Sequence, residues 1–233
     1  MKNMLLAASA IFAITALAGS ASATDFAGGT ISYNVGVTSD YVFRGVSQSS
    51  TESNLPAIQG GVDYSHGLFY VGAWASNVKW DYSKGTKDLE VDVYGGVKPT
   101  YKDFNFDFGL YTYNYGTKEL DFSEVKAAVS HPLFKGTIGA AFYDNVTWAE
   151  SGYYEVNGSY PLTDKLSLSG AVGESALLGS KYSTANLGVT YAISPALSLD
   201  VRASDTNVPE AKVYSPYNRP YKPRVAVTLK ASF

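Results

Sequence analysis

Two carboxylates, Glu90 and Asp92, are the residues whose type and spacing first suggest chemistry, because they alternate with apolar neighbours along a predicted strand. Next-but-one residues of a strand lie on one face about 6.6 Å apart, so two such carboxylates can share a cation or act as an acid and a base. The same spacing also suits an electrostatic lining that faces Arg202 or Lys230. We expect the lining, with no metal and no cofactor.

Histidine chemistry is the second candidate, since some small membrane barrels hydrolyse or transfer acyl chains. Such a site needs a base beside a nucleophile, usually His beside Ser. The chain has two histidines, His66 and His131, and both fall in predicted turns. Ser65 is adjacent to His66 in the chain, but adjacency in a turn is not a catalytic triad. We therefore expect no catalytic residue and no enzyme.

The last ten residues form a strand about as long as a tilted membrane strand must be. One face of it is apolar and ends in an aromatic residue, whereas the other face is polar or small. The apolar face consists of Val225, Val227, Leu229, Ala231 and Phe233. This pattern is typical of the last strand of an outer-membrane β-barrel. We expect Phe233 to serve membrane assembly, with the barrel-assembly machinery as the partner of this strand.

The beginning of the chain indicates export. Lys2 precedes an almost wholly apolar run, and Ala21, Ser22 and Ala23 supply the small residues of a cleavage site. A single anchoring helix is the alternative, but the run is shorter than the ~20 residues of a membrane span. We predict a signal peptide over residues 1–23 and one domain over 24–233. With no Cys in the chain, disulfides cannot stabilise the exported domain.

Period-2 alternation runs through almost all of the mature chain, and no helix is convincing. Several segments reach ~10 residues, the membrane length, whereas strands of soluble proteins average ~5 to 6. A soluble sandwich, which would bury the apolar faces inside, is the alternative. We predict an all-β fold, an antiparallel up-and-down transmembrane β-barrel of about 12 strands. The strands are expected near residues 30–43, 56–64, 68–78, 87–98, 104–115, 122–131, 137–145, 153–160, 166–174, 182–191, 197–204 and 224–233.

The connections alternate between short turns and longer polar segments, as in bacterial barrels. Turns are expected around residues 65–67, 99–103, 132–136, 161–165 and 192–196. Loops are expected around residues 47–55, 79–86, 116–121, 146–152, 175–181 and 205–223, the last as the main gating loop. With an even strand number, both termini and the short turns lie in the periplasm.

Aromatic residues cluster near the strand ends, as expected of girdles at the two membrane interfaces. The loop-end group is Phe43, Trp74, Trp80, Tyr113, Tyr115, Trp148 and Tyr153. The turn-end group is Tyr64, Phe69, Tyr101, Phe104, Tyr160, Tyr191 and Phe233. The general aromatic richness of β-proteins is the plainer explanation.

Four stretches carry a family resemblance: VTSDYVFRGVSQ at 37–48, AIQGG at 57–61, YVGAWASN at 70–77 and LEVDVYGG at 89–96. They resemble successive motifs of the TorF-like porin family, a family of exported proteobacterial proteins. The resemblance is specific over residues 31–115, and afterwards only the barrel pattern and the terminal Phe continue it. It implies an outer-membrane barrel and names no substrate.

The inward face must carry the function of such a barrel. The alternation places eight acids and four bases there, where water and opposite charges can stabilise them. The predicted pore-lining residues are Asp40, Arg44, Gln48, Asp63, Glu90, Asp92, Asp107, Glu124, Lys126, Glu155, Asp200, Arg202 and Lys230. Arg44 either forms a constriction or ligand contact near the outer mouth with Gln48, or a buried pair that sets the strand register.

We therefore predict a passive outer-membrane diffusion channel for small polar or cationic solutes. A lumen sealed by its ion pairs, giving a structural or ligand-binding barrel, is the main alternative at this strand number. A soluble periplasmic sandwich is the third. The expected partners are outer-membrane lipid, the assembly machinery and small polar solutes. Nucleic acid is not expected, because the formal net charge is -3 and the charges are evenly spread.

Overall fold

The structure is a computed structural model. It describes residues 23–48, 55–79, 89–116, 120–147, 151–177, 180–208 and 221–233. The predicted signal peptide, Trp80, Trp148 and most of the predicted gating loop lie outside these ranges. Within the described ranges there is no helix long and apolar enough to cross a membrane.

Twelve of the strands form the wall of a barrel and four are short additions. The wall strands are β2 (Gly29–Thr38), β5 (Ala57–His66), β6 (Phe69–Asn77), β7 (Leu89–Val97), β9 (Phe104–Asn114), β10 (Phe122–Leu133), β11 (Gly136–Asn145), β12 (Gly152–Pro161), β13 (Leu166–Leu177), β14 (Ser180–Ala192), β15 (Leu197–Thr206) and β16 (Arg224–Ser232). The short strands are β1 (Thr24–Phe26), β3 (Val42–Phe43), β4 (Val46–Ser47) and β8 (Thr100–Tyr101).

The wall closes on itself. Each wall strand pairs antiparallel with its neighbours in the chain, and β2 pairs with both β5 and β16. Closure leaves the wall without a free edge, so every strand has partners on both sides. The predicted 12-stranded antiparallel barrel is confirmed, and each predicted wall strand has its counterpart.

The alternation sorts the side chains between the two faces of the wall. Val93 is 47% exposed on the outside, while its neighbour Asp92 is fully buried inside. The last strand behaves alike, with Val225 64% exposed outward. A soluble sandwich would turn its apolar faces inward, so that alternative is wrong for this chain.

The first predicted strand is too long. β2 ends at Thr38, and residues 39–48 turn into the barrel, where β3 and β4 pair as a hairpin. Arg44 and Gly45 at its tip have φ values of 43° and 79°, the left-handed values that a two-residue type I′ hairpin turn requires. We call residues 39–48 the plug segment. The alternation of the first predicted strand had placed Arg44 on its inward face. Arg44 lies instead in the plug segment, beyond the end of β2.

The connections otherwise follow the expected division into turns and loops, with one exception. A long loop was expected over residues 175–181, but β13 runs to Leu177 and β14 starts at Ser180, and these two residues pair. The prediction failed because this short polar connection has a loop-like composition while its backbone continues the ladder. We call the end of the barrel that carries the connection between β2 and β5 the loop end, and the end that carries the turn at Gly67 between β5 and β6 the turn end.

The aromatic prediction is wrong for the described rings at the loop end. At the turn end the rings face outward as expected, and their role as a girdle at a membrane interface stays a prediction. Phe43, Tyr113, Tyr115 and Tyr153 are buried inside the barrel, and Trp74 packs against that interior cluster. The physical reason is the alternation of side chains along a strand, which fixes the face on which each one lies. Trp74 is the cross-strand partner of Asp92 between β6 and β7, so both lie on the inner face. At the turn end the expected rings are exposed outward, among them Phe69, Tyr101, Phe104, Tyr160, Tyr191 and Phe233.

Candidate functional site

The plug segment reaches across the lumen at the loop end. It leaves the wall after β2, and Arg44 contacts β10, which lies five strands away in the ring of twelve. Its tip rests against β15, where a Cβ on Gly45 would come within 2.7 Å of the Thr206 Cβ. A segment with contacts on β10 and β15 spans much of the barrel's cross-section.

Arg44 is the main polar anchor of the plug segment. Its two terminal nitrogens each donate to a carboxylate oxygen of Glu124 at 2.9 Å. The guanidinium carbon lies 4.3 Å from the ring centre of Tyr153 and 5.0 Å from that of Tyr143. Tyr113 also donates to Glu124, at 3.2 Å. Burial acts to lower the pKa of Arg44, but Glu124 together with Tyr113 and Tyr153 raises that pKa above its ordinary value, so the guanidinium stays charged.

The base of the plug segment has its own anchors. Asp40 accepts a hydrogen bond from Ser47 at 2.5 Å and pairs with Arg224 of β16. The backbone of Gln48 donates to Tyr41 and accepts from Lys79, at 2.7 and 2.8 Å. These contacts tie both ends of the hairpin to each other and to the wall.

Aromatic packing fills the space beside these polar contacts. Tyr41 and Phe43 of the plug segment join one buried cluster with rings of the wall, and Tyr41 meets Trp74 edge-on at 5.6 Å between ring centres. The wall rings of this cluster are Tyr94, Tyr111, Tyr113, Tyr115 and Phe122. The cluster is an interior core, so the barrel is packed at this end.

The inner wall is closed to solvent around the plug segment. Nine of the twelve wall strands contribute an inward side chain that is at most 6% exposed there. These are Thr38, Ala57, Ser76, Glu90, Tyr113, Glu124, Tyr153, Ser175 and Thr184. The remaining strands are β11, β15 and β16. They contribute Tyr143, whose ring lies against the Arg44 guanidinium, Thr206, which lies beside Gly45, and Arg224, which pairs with Asp40. At the loop end the described lumen is therefore a sealed layer.

The turn-end half of the lumen is polar, and its charged side chains are less completely buried than those of the sealed layer. Asp107 accepts from Tyr70 and from Lys126, both at 2.7 Å, and Asp63 accepts from Tyr94 at 2.6 Å. Across the barrel, Arg202 binds Asp200 on its own strand and also Asn186 and Ser169. We call this half the vestibule. The pairs named here join strands that lie at most two apart in the wall.

All thirteen predicted pore-lining residues point to the interior, but they occupy two layers. The sealed layer holds Asp40, Arg44, Gln48, Glu90, Asp92 and Glu124. The vestibule holds Asp63, Asp107, Lys126, Glu155, Asp200, Arg202 and Lys230. Glu90 accepts a hydrogen bond from Tyr115 at 2.7 Å. That these residues line a conducting pore stays a prediction.

The charge distribution differs between the layers. In the vestibule, four acids face Lys126, Arg202 and Lys230, and Lys98 lies over the Tyr70 ring at the rim, so the charges nearly balance. In the sealed layer, Glu124 pairs with Arg44 and Asp40 pairs with Arg224, while Glu90 and Asp92 lie buried on the same inner face. Arg224 was not among the predicted residues, although it lies on the same face of its strand as Lys230. The sealed layer thus holds four of the inward acids beside two arginines.

The two histidines lie apart from this site, at the turn end. His66 is 3.4 Å from the Tyr64 hydroxyl, and His131 packs on the Phe104 ring. Among the described residues, no group of three or more His, Cys, Asp or Glu side chains is arranged to hold a metal ion.

Comparisons with known proteins agree with the architecture. A model of a family described as bacterial protein of unknown function (Gcw_chp) matches residues 22–233. The TorF-like resemblance itself stays a prediction. No curated protein matches the chain.

Two solved porins share the fold. KdgM porin is 9% identical with a TM-score of 0.59, and NanC porin is 10% identical with a TM-score of 0.55. Each match covers 87% of this chain and 98% of the porin. KdgM porin has also been solved in complex with disordered oligogalacturonate. At these identities the likeness concerns the fold alone.

Proposed function

This chain belongs to the Gcw_chp family of bacterial proteins of unknown function, and we propose that it is an outer-membrane channel for small polar or cationic solutes, held closed by the plug segment. The observation that carries the proposal is that the inner wall has charged side chains in both layers, while a loop segment occupies its loop end. A docked segment can leave without breaking the wall ladder, whereas a wall strand cannot. The similar barrels being named porins also supports a channel.

Cation preference follows from the charges that remain in the lumen when the plug segment leaves. Its departure removes Arg44 and Asp40 from the sealed layer. The inner wall then keeps three carboxylates, Glu90, Asp92 and Glu124, together with the guanidinium of Arg224. Carboxylates around a narrow low-dielectric opening attract cations and exclude anions. The selectivity therefore arises at the loop end, because the vestibule is nearly balanced in charge.

The membrane assignment belongs to the same proposal. The outward apolar rows and the turn-end aromatic rings suit lipid and its interface. The TorF-like resemblance and the export pattern of residues 1–23 support the outer membrane, and the last strand, ending at Phe233, is the proposed contact of the assembly machinery. We propose no enzymatic activity.

A non-conducting structural or ligand-binding barrel is the second candidate. The observation in its favour is the sealed layer, to which all twelve wall strands contribute. The two candidates differ in one property, namely whether the plug segment leaves its site in the folded barrel.

Single-channel recording in planar bilayers separates the two candidates. Glu124→Gln should weaken the plug anchor and raise the open fraction at least about tenfold, the effect of ~1.4 kcal/mol. The open state should favour cations under a salt gradient, and Glu90→Gln with Asp92→Asn should reduce that preference. Glu174→Gln makes the same chemical change on the outward face and should leave the open fraction unchanged. If neither the native barrel nor Glu124→Gln conducts, the non-conducting barrel would be favoured. An anion-selective open state would contradict the proposed channel.

A further inference from the structure

Apart from Phe43 of its own segment, the groups around the guanidinium of Arg44 form a pocket of the wall. Glu124 of β10, Tyr143 of β11 and Tyr153 of β12 come from three consecutive strands of the sheet. Together they offer one carboxylate fork and two ring faces within 5.0 Å of the guanidinium carbon. We propose that this pocket binds small guanidinium compounds, and that Arg44 is a tethered stand-in for such a solute.

The pocket is held in shape without Arg44. Tyr113 donates to Glu124 from the neighbouring strand, and Tyr153 donates to Glu155 at 2.9 Å. The rings of Tyr143 and Tyr153 pack on each other with their centres 6.2 Å apart. These contacts connect wall residues to wall residues, so they remain when the plug segment is absent. A pocket with fixed walls loses little conformational entropy when a ligand enters.

The geometry selects the class of ligand. A planar guanidinium fork can donate both hydrogen bonds to Glu124 at once and still lie against aromatic faces. An ammonium group is a compact charge without that fork, and its strong hydration opposes burial beside two rings. We therefore infer a preference for guanidinium over ammonium compounds of similar size.

The pocket also connects the solute to the gate. This step rests on the proposed channel, because the solute must reach Glu124 from the lumen or the loop end. A guanidinium solute and Arg44 compete for the same carboxylate, so binding of one must weaken binding of the other. A guanidinium solute would therefore promote release of the plug segment.

The direct test is binding to the full barrel, folded in detergent, after the stand-in is removed. Arg44→Gly is the suitable variant, because Gly accepts the positive φ at this position. Isothermal titration with methylguanidinium should give saturable binding to Arg44→Gly. Binding should be weaker by at least about tenfold in Arg44→Gly with Glu124→Gln, and equally weak for methylammonium.

Arg202→Gly is the matched control, since it also removes a guanidinium from the lumen. Arg202 donates hydrogen bonds to Asp200, Asn186 and Ser169, whereas Arg44 lies beside the rings of Tyr143 and Tyr153. Its binding of methylguanidinium should be at least about tenfold weaker than that of Arg44→Gly. Heat-modifiable migration on a gel checks that each variant is a folded barrel.

The outcomes separate this inference from the channel proposal. No saturable binding to folded Arg44→Gly, or binding unaffected by Glu124→Gln or equal for methylammonium, would overturn the pocket even if the barrel conducts. Saturable binding that depends on Glu124 would support the pocket even in a barrel that never conducts.

Discussion

The ion pair between Arg44 and Glu124 is where a single residue most affects the closed state. The attraction between two buried charges offsets their lost hydration only when their geometry is good and further hydrogen bonds are made. Here both terminal nitrogens of the guanidinium donate to Glu124, and Tyr113 supplies a third donor to the carboxylate. Removing one partner of such a pair typically costs ~3–5 kcal/mol, because the other charge stays buried and unpaired. The closed plug segment should therefore depend strongly on Glu124.

Trypsin sensitivity reports this dependence directly, because Arg44 is itself the cleavage site. In the folded native barrel its buried side chain should resist cleavage. In Glu124→Gln we expect cleavage after Arg44 to accelerate at least about tenfold, since each ~1.4 kcal/mol of lost docking energy multiplies the released population by ten. Mass spectrometry of timed digests identifies the cut. Glu174→Gln serves as the control, and equal rates in the native protein and Glu124→Gln would show that the pair does not hold the plug segment.

The alternation of side chains was sufficient to find most of the inward charges of the wall strands, because a strand has a strict period of two. Arg224 has the same alternation and was overlooked. The same rule places Tyr113 on the face of Asp107 and Tyr153 on the face of Glu155. These rings were assigned to an outer girdle because their position near a strand end was given more weight than their parity. The partner of Arg44 was beyond prediction, since Glu124 lies 80 residues away in the chain and only the folded barrel brings the two together.

At the scale of the element, the plug hairpin was hidden by its own pattern. Alternation continues from β2 through Tyr41 and Phe43, so the strand was extended to residue 43. The local sign of a turn was present, because Gly45 stands between Val42-Phe43 and Val46-Ser47, and Gly suits the positive φ that a two-residue hairpin turn requires. Gly45 combines a φ of 79° with close packing against Asp205 and Thr206.

We expect Gly45→Ala to release the plug segment. The added Cβ would lie 2.7 Å from the Thr206 Cβ and 2.9 Å from the Asp205 carbonyl oxygen, so the hairpin tip must move away. Strain in the left-handed region adds about 1–2 kcal/mol. Cleavage after Arg44 and the open fraction in bilayers should both rise.

Gly67→Ala is the control that separates strain from contact. Gly67 has a φ of 58° in a turn, but an added Cβ there meets no atom within 4 Å. This variant should carry similar backbone strain and leave both readouts unchanged. If Gly45→Ala also left them unchanged, the docking of the tip against β15 would not hold the plug segment in place.

At the scale of the whole molecule, the barrel itself was predictable and its filling was not. Wall strands follow from local alternation, which each segment carries independently. Whether the lumen is open depends on which loop folds inward, and that is decided by contacts between residues far apart in sequence. The last strand gave the clearest prediction and also completes the wall, because the β16–β2 ladder is the seam between the two ends of the chain.

Phe233 extends this seam beyond its last paired residues. Its backbone nitrogen donates to the Tyr33 carbonyl at 2.8 Å, and its carbonyl accepts from the Tyr33 nitrogen at 2.9 Å. Its ring is 46% exposed on the outer face, in line with the apolar row of β16. Deletion of Phe233 removes both the hydrogen bonds and the ring, whereas Phe233→Asp can keep the hydrogen bonds and changes only the side chain.

These two variants show which part of Phe233 the barrel needs. If the ring serves recognition by the assembly machinery, both variants should lower the amount of heat-modifiable barrel in the outer membrane sharply, without affecting export. During spontaneous folding into liposomes, where no machinery acts, Phe233→Asp should fold nearly as well as the native chain, and the deletion should fold less well because two seam hydrogen bonds are lost, each worth about 0.5–1.5 kcal/mol. Gel migration with and without heating measures both. Normal barrel levels of Phe233→Asp in cells would show that the terminal ring is dispensable, and would leave closure of the seam by backbone hydrogen bonds as the role of this residue.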